Sequence, residues 1–322
     1  MKLDEVLGQE RAISQLGHAL EQERLAHAMI FAGPPGTGKR TTALALARAL
    51  LCPDAPGRGC DFCEDCHLLE AGTHPDLLVE DMEKAREERS TASQLSITQV
   101  RRLRSSLALQ AVRGKRKVAI VEPAEKLGAD AQNALLKTLE EPPSGSTLIL
   151  VCSNPSALLP TIRSRCQTLL FAPLGEEVLE KLLDREGIES PAQVAALADG
   201  SLERARQLTG EETRERYDEL RAHFDALAQT SIPDLLDLAE NLSGGKGDER
   251  RRRMAVDAAI LLDWARGRMF ESVEGGDPDA VRSALARLRR IHGTTRDLEH
   301  YANARLSWES LLLDLRRMAG GA

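Results

Sequence analysis

Cys52, Cys60, Cys63 and Cys66 place four thiols in one short stretch of chain, the last three at intervals of three residues. Thiolates that close together suit tetrahedral zinc. Pro53, Pro56 and Gly57 supply the turns that bring Cys52 back to the triplet. Unrelated core cysteines lie among apolar neighbours, whereas these lie among Asp61, Glu64 and Asp65. With four protein ligands no position stays open for water, so the expected site is structural. His67 and His74 are nearby alternatives, read as surface or loop residues, and Cys152 and Cys166 read as packed thiols.

The second chemical motif is Gly33-Pro34-Pro35-Gly36-Thr37-Gly38-Lys39, which follows an apolar run and opens a helical pattern. Its glycines let backbone N–H groups turn inward around phosphate oxygens, and the helix N-terminus adds partial positive charge. Gly33, Gly36, Thr37, Gly38, Lys39, Arg40 and Thr41 are therefore the candidate set for ATP or ADP, with Lys39 reaching the terminal phosphates. Two features depart from a hydrolysing loop. The position after the lysine needs a hydroxyl for magnesium and carries Arg40; Thr41 is rotated away by about 100° along the helix. The acidic pair that should end a later strand reads Glu122-Pro123. Glu125 is expected to be an ordinary solvated charge on the element that follows. The domain reads as a poor or inactive ATPase, with nucleotide bound weakly at most.

The elements that must position these groups are legible in the first half. Met29–Ala32, Val118–Val121, Leu148–Val151 and Thr168–Phe171 read as buried strands. Thr41–Leu51 repeats Ala and Leu at helical spacing, and Leu127, Ala131, Ala134, Leu135 and Leu139 mark one face of a helix stopped by Pro142-Pro143. Apolar strands alternating with helices imply a parallel sheet covered on both faces. After about Pro173 the strand signal ends; short helices run to Leu208, and long amphipathic helices follow, broken at Gly244-Gly245 and Gly275-Gly276.

The 322 residues, 42% hydrophobic and only 3% aromatic, favour a helix-rich protein of two or three domains. A net charge of -7 argues against a surface that grips DNA as a whole. The basic clusters Arg101-Arg102-x-Arg104 and Arg113–Lys117 read as solvated charges rather than DNA contacts, and Arg250–Arg253 are expected to pair locally after Asp248-Glu249. No apolar run is long enough for a bilayer and the N-terminus lacks a signal core, so a cytoplasmic location with reduced cysteines is expected.

Taken together, the chain resembles the bacterial clamp-loader subunits, the gamma and delta-prime branches of AAA+. The resemblance rests on Val6-Leu7-Gly8-Gln9-Glu10, His27-Ala28, the phosphate loop, the four cysteines, Gly72-Thr73-His74-Pro75-Asp76, Asn133–Pro143 and Ser164-Arg165-Cys166. It implies an AAA+ domain over 1–172 with a zinc module at about 52–66, a helical lid over 173–210 and a helical collar over 211–322. Arg40, Pro123 and Glu203, the last where the ATPase branch carries arginine, favour the delta-prime branch over a gamma-type ATPase.

From spacing alone Arg165 is a surface arginine beside Arg163. The resemblance makes it an arginine finger that serves a neighbour's nucleotide in trans. Asn154 lies near the position that senses the terminal phosphate and reads equally as a turn residue. The implied function is non-hydrolysing help in placing a sliding clamp on primed DNA, with gamma-type and delta-type subunits, the sliding clamp and primer-template DNA as partners and no membrane contact. A standalone zinc-dependent DNA-binding module is the third reading; the acidic balance and the closed ligand set argue against it.

Overall fold

The computed structural model describes residues 1–88, 92–209, 211–245, 247–299 and 303–320. Five strands, β1 (Ala28–Ala32), β2 (Leu77–Asp81), β3 (Lys117–Glu122), β4 (Ser146–Cys152) and β5 (Gln167–Leu170), form one sheet in the order β2-β3-β4-β1-β5. Every neighbouring pair is parallel. Parallel neighbours need crossovers, and the crossover helices cover the faces. Alternate residues of each strand enter different cores. Ile30, Val121 and Leu150 pack with Leu103 and Leu135 on one side, whereas Phe31, Ile120 and Ile149 pack with Leu16 and Leu46 on the other. The expected α/β sheet, apolar on both faces, is present.

One strand is additional to the four read from the sequence. β2 is an edge strand of five residues in which only Glu80 is buried, so its apolar run is short and gives way to acids. It matters because it pairs with β3 in a register that sets Asp81 opposite Glu122. The sheet's carboxyl edge thus collects the phosphate loop after β1, two carboxylates at the ends of β2 and β3, and Cys152 at the end of β4. In open parallel sheets this is the edge where ligands bind.

The chain forms two compact units, Met1–Leu179 with Gly200–Glu203, and Glu180–Asp199 with Arg204–Ala322. The second is helical. Its helix Gly247–Glu274 packs against Glu211–Asp225 and Pro278–Glu299, and Ile232–Ser243 packs against Ala304–Gly320. Trp308, Phe224, Ile260, Leu261 and Leu311 fill its core. Trp264 stacks at a tilt on Phe224, centroids 5.9 Å apart, while its indole N–H donates to Asp225 at 2.8 Å. Among the described residues no helix is long and apolar enough to cross a membrane.

Candidate nucleotide-binding and metal sites

The four cysteines come together. Their Sγ atoms all lie within 4.8 Å of one another, and Cys52–Cys63 and Cys60–Cys66 are each 3.9 Å apart. A tetrahedron with metal–sulphur bonds of about 2.3 Å has edges of about 3.8 Å, so the set fits a metal of zinc's size and geometry. Backbone amides point at the sulphurs: Ala55 donates to Cys52 at 3.4 Å, Cys63 to Cys60 at 3.3 Å and Cys66 to Cys63 at 3.4 Å. Such donors favour thiolate. Against desolvation, the amides of Phe62 and Cys63 bring the Cys60 thiol down to about 7, whereas burial pushes Cys63 up to about 12. Gly59 has φ +87° and lies against Arg48, whose Cγ would be 2.7 Å from an added Cβ.

His74 lies in a loop, as the sequence suggested, but it is buried rather than at the surface. It is 3% exposed and its Nδ1 accepts the Asp76 amide at 3.1 Å, so Nε2 carries the proton and donates to Asp65 at 3.1 Å. Asp76, fully buried, accepts the amides of Val112 and Arg113 at 2.8 and 2.9 Å. The Arg113 guanidinium in turn pairs with Glu64 at 2.5 Å and with Asp65. The His74-Pro75-Asp76 segment is therefore a buried tie between the cysteine loop and the turn before β3. Its aspartate ahead of an apolar run was the available signal.

The phosphate loop keeps its shape. Gly36 and Gly38 have φ of +71° and +87°, and a Cβ on Gly33 would lie 2.2 Å from the Phe171 carbonyl oxygen. Gln9 anchors the loop by donating to the carbonyls of Thr37 at 3.1 Å and Ala172 at 2.7 Å. Thr37 donates to Pro34 at 2.9 Å, and Thr41 is half-buried on the helix Lys39–Leu51. Lys39 folds back onto the loop, donating to the Gly33 carbonyl at 2.7 Å and to that of Pro34. Burial pushes its pKa down, opposed by Glu122, Glu125, Cys152 and Glu203 around it. The loop's rim is also occupied: Leu202 donates to the Gly36 carbonyl at 2.9 Å, and a Cβ on Gly36 would meet Ser201 Oγ at 2.2 Å.

Arg40 stands where magnesium chemistry needs a hydroxyl, and its guanidinium bridges Glu122 at 2.8 Å and Asp81 at 3.2 Å. Desolvation opposes its charge, but those two partners outweigh it and raise its pKa. The residues present do not fit a magnesium ion at this place. Glu125 departs from expectation as well. It lies on a short 3-10 turn, Ala124–Lys126, where Oε1 accepts the Ser153 amide at 3.0 Å and Oε2 is buried without a partner among the described residues. It is part of the site's negative wall rather than a solvated charge; burial, helped by Glu125, pushes the Cys152 thiol up to about 12. Cys166 is raised to about 11 by burial; both are packed thiols.

Arg165 lies between the short helix Pro160–Arg163 and edge strand β5, with Nη2 3.0 Å from Glu140 and Nη1 donating to Thr161 at 3.1 Å. Gln132 fixes the approach to it, donating to Leu127 and Ala157 and accepting the Leu159 amide at 2.8 Å. Asn154 caps a turn, its Oδ1 accepting the amide and hydroxyl of Ser156 at 3.1 and 2.8 Å. The solvated reading of the basic clusters fails at Lys117, which is buried with Nζ on the Ser106 carbonyl at 2.7 Å. Arg102 and Arg113 are exposed, as expected, but each has an acidic partner: Arg102 forks onto Glu80, and Arg113 is held at the cysteine loop. Of the expected pairing at Arg250–Arg253, Arg253 donates to Asn241 at 2.8 Å; the side chains of Asp248, Arg251 and Arg252 lie outside the described residues.

A family model described as DNA polymerase III, delta subunit, matches residues 8–175. A DNA polymerase III subunit delta' of Pseudomonas aeruginosa is 41% identical over 214 residues, 65% of this chain and 62% of that relative. One from Bacillus subtilis is 34% identical over 59% of this chain and 55% of its own length. The tau subunit of Bacillus subtilis is 32% identical over 64% of this chain and 37% of its own. The matches to the two delta' relatives span 62% and 55% of those proteins.

Proposed function

The chain belongs to the DNA polymerase III delta-subunit family, its model matching residues 8–175, and from that premise we propose that it is a non-hydrolysing clamp-loader subunit of the delta-prime kind. It works in the cytoplasm within a ring of gamma-type and delta-type subunits that sets a sliding clamp on primer-template DNA. Residues 1–172 serve as the AAA+ domain, 173–210 as a lid and 211–322 as a collar that joins subunits. The observation that carries this reading is Arg40. A loop that kept its glycines and Lys39 has its metal position filled by a guanidinium bound to Glu122 and Asp81. Such a loop can hold a nucleotide's phosphates weakly but lacks the ion that neutralises charge during transfer.

Arg165 acts on a neighbour. It is an exposed arginine in the turn that leads into an edge strand, and a guanidinium forks onto a terminal phosphate as charge develops there. Cys52, Cys60, Cys63 and Cys66 hold zinc, which when bound fixes the loop and supplies no reactive position. The test is the DNA-stimulated ATPase of the reconstituted assembly with wild-type chain and with Arg165→Ala. A large fall, with the isolated chain inactive, is expected. Steady-state hydrolysis by the isolated chain that Lys39→Ala abolishes would instead make it a gamma-type ATPase.

A further inference from the structure

The parallel pairing of β2 and β3 sets Asp81 beside Glu122 at the ends of the two strands. Neighbouring strands lie about 4.8 Å apart, so two carboxylates in register repel unless a cation sits between them. Hard divalent ions take such places, held by one or two carboxylates and water. Here the space is taken from within the chain. Arg40, the second residue of the helix after the phosphate loop, sends Nη1 to Glu122 Oε2 at 2.8 Å and Nη2 to Asp81 Oδ2 at 3.2 Å. The other oxygen of Asp81 is occupied too, accepting the Lys84 amide at 3.0 Å. Asp81 and Glu122 are 13% and 23% exposed, sheltered enough for the charges to matter.

We propose that the Arg40 guanidinium is a built-in substitute for a divalent cation: it fills the Asp81–Glu122 pair, and it alone keeps metal out of an otherwise competent carboxylate site. Removing it uncovers a cation site. The proposal deepens the reading of this loop as non-hydrolysing, and it explains why one side chain both occupies the metal position and holds two strand ends together. An arginine fork carries one positive charge in a fixed plane and cannot be exchanged or lost, so the loop's state does not follow the magnesium level.

The test uses the full chain with metal alone, without nucleotide or partners, so its failure would leave the Arg165 reading standing. Mn2+ is the probe, since it prefers oxygen ligands and leaves the cysteine cluster to softer ions. Wild-type chain, Arg40→Ser and Arg40→Ser/Glu122→Gln are titrated, with free Mn2+ followed by electron paramagnetic resonance. Arg40→Ser is expected to bind one Mn2+ at least about tenfold more tightly than wild type, and the double variant to lose it. In thermal melts Mg2+ should raise the midpoint of Arg40→Ser and leave wild type unchanged. Arg40→Gln, closer in length, serves the same purpose if the serine variant does not fold. A folded Arg40 variant that binds Mn2+ no better than wild type overturns the proposal, as does wild-type Mn2+ binding that Glu122→Gln abolishes.

Discussion

Arg165 Nη2 lies 3.0 Å from Glu140 Oε1, so the guanidinium proposed to reach a neighbour's phosphate is tied, in the free chain, to the last residue of the helix Ala129–Glu140. Both side chains are well exposed, at 38% and 52%. An exposed pair contributes under about 1 kcal/mol, so Arg165→Ala should leave unfolding in urea nearly unchanged. In the assembly the same substitution should lower DNA-stimulated ATP turnover by about a thousandfold, the scale of a lost arginine finger. Arg165→Lys should not restore it, because an ammonium lacks the planar fork. Glu140→Gln frees the guanidinium without removing it and should change turnover by less than about tenfold. A loss as deep as that of Arg165→Ala would show that the pair, rather than the guanidinium, carries the effect.

Metal content separates the structural reading of the cysteines from a catalytic one. One zinc per chain is expected by elemental analysis, and Cys60→Ser/Cys63→Ser should abolish it. Thiols must lose their protons to bind, so affinity falls as pH drops, by about tenfold per pH unit for each ligand below its own pKa. With Cys60 near 7 and Cys63 near 12 in the metal-free loop, protons compete throughout the neutral range and below. Chelation at pH 6 should therefore strip the metal faster than at pH 8. It should lower the thermal midpoint while leaving the assembled ATPase rate per folded complex unchanged.

Much of this was written locally in the chain. The phosphate loop and the cysteine set are contiguous motifs, and β1, β3 and β4 are continuous apolar runs because both faces of a parallel sheet are covered. What the sequence hid depends on pairing across the sheet. Asp81 looks like a surface acid until β2 is known to lie beside β3, and only then does Arg40 acquire its second partner, 41 residues away. β2 gives little strand signal because its apolar run, Leu77-Leu78-Val79, is short and passes straight into Glu80 and Asp81. The burial of His74 and Lys117 is hidden from the sequence for a related reason. Polar side chains are assigned to solvent by default, and only the fold reveals the buried partner that compensates them.

The buried tie behind the cysteine loop gives a prediction independent of metal. Asp76 is fully buried and accepts two amides, so Asp76→Ala leaves both donors unmatched. The cost should be about 2–4 kcal/mol in urea unfolding. Asp76→Asn keeps one acceptor and should cost less. Because Arg113 reaches Glu64 and Asp65 from the same turn, Asp76→Ala should also loosen zinc, measured as faster release to a chromogenic chelator.

In the helical unit the stability should concentrate on one ion pair. Asp257 is fully buried on the helix Gly247–Glu274 and takes two bonds from Arg216 of Glu211–Asp225, at 3.0 and 3.2 Å. Burial pushes the Asp257 carboxyl up against the pull of that guanidinium. Asp257→Ala leaves the Arg216 guanidinium, 13% exposed, with only Glu219 and Asn241 as partners among the described residues and should cost about 2–3 kcal/mol. Replacing both by apolar residues of similar volume, Arg216→Met with Asp257→Leu, should recover most of that loss, since the desolvation of two charges disappears together. Chemical denaturation of the single and double variants checks the sign: a double variant no more stable than Asp257→Ala would mean that the pair stabilises the helices by its attraction, beyond merely compensating its own burial.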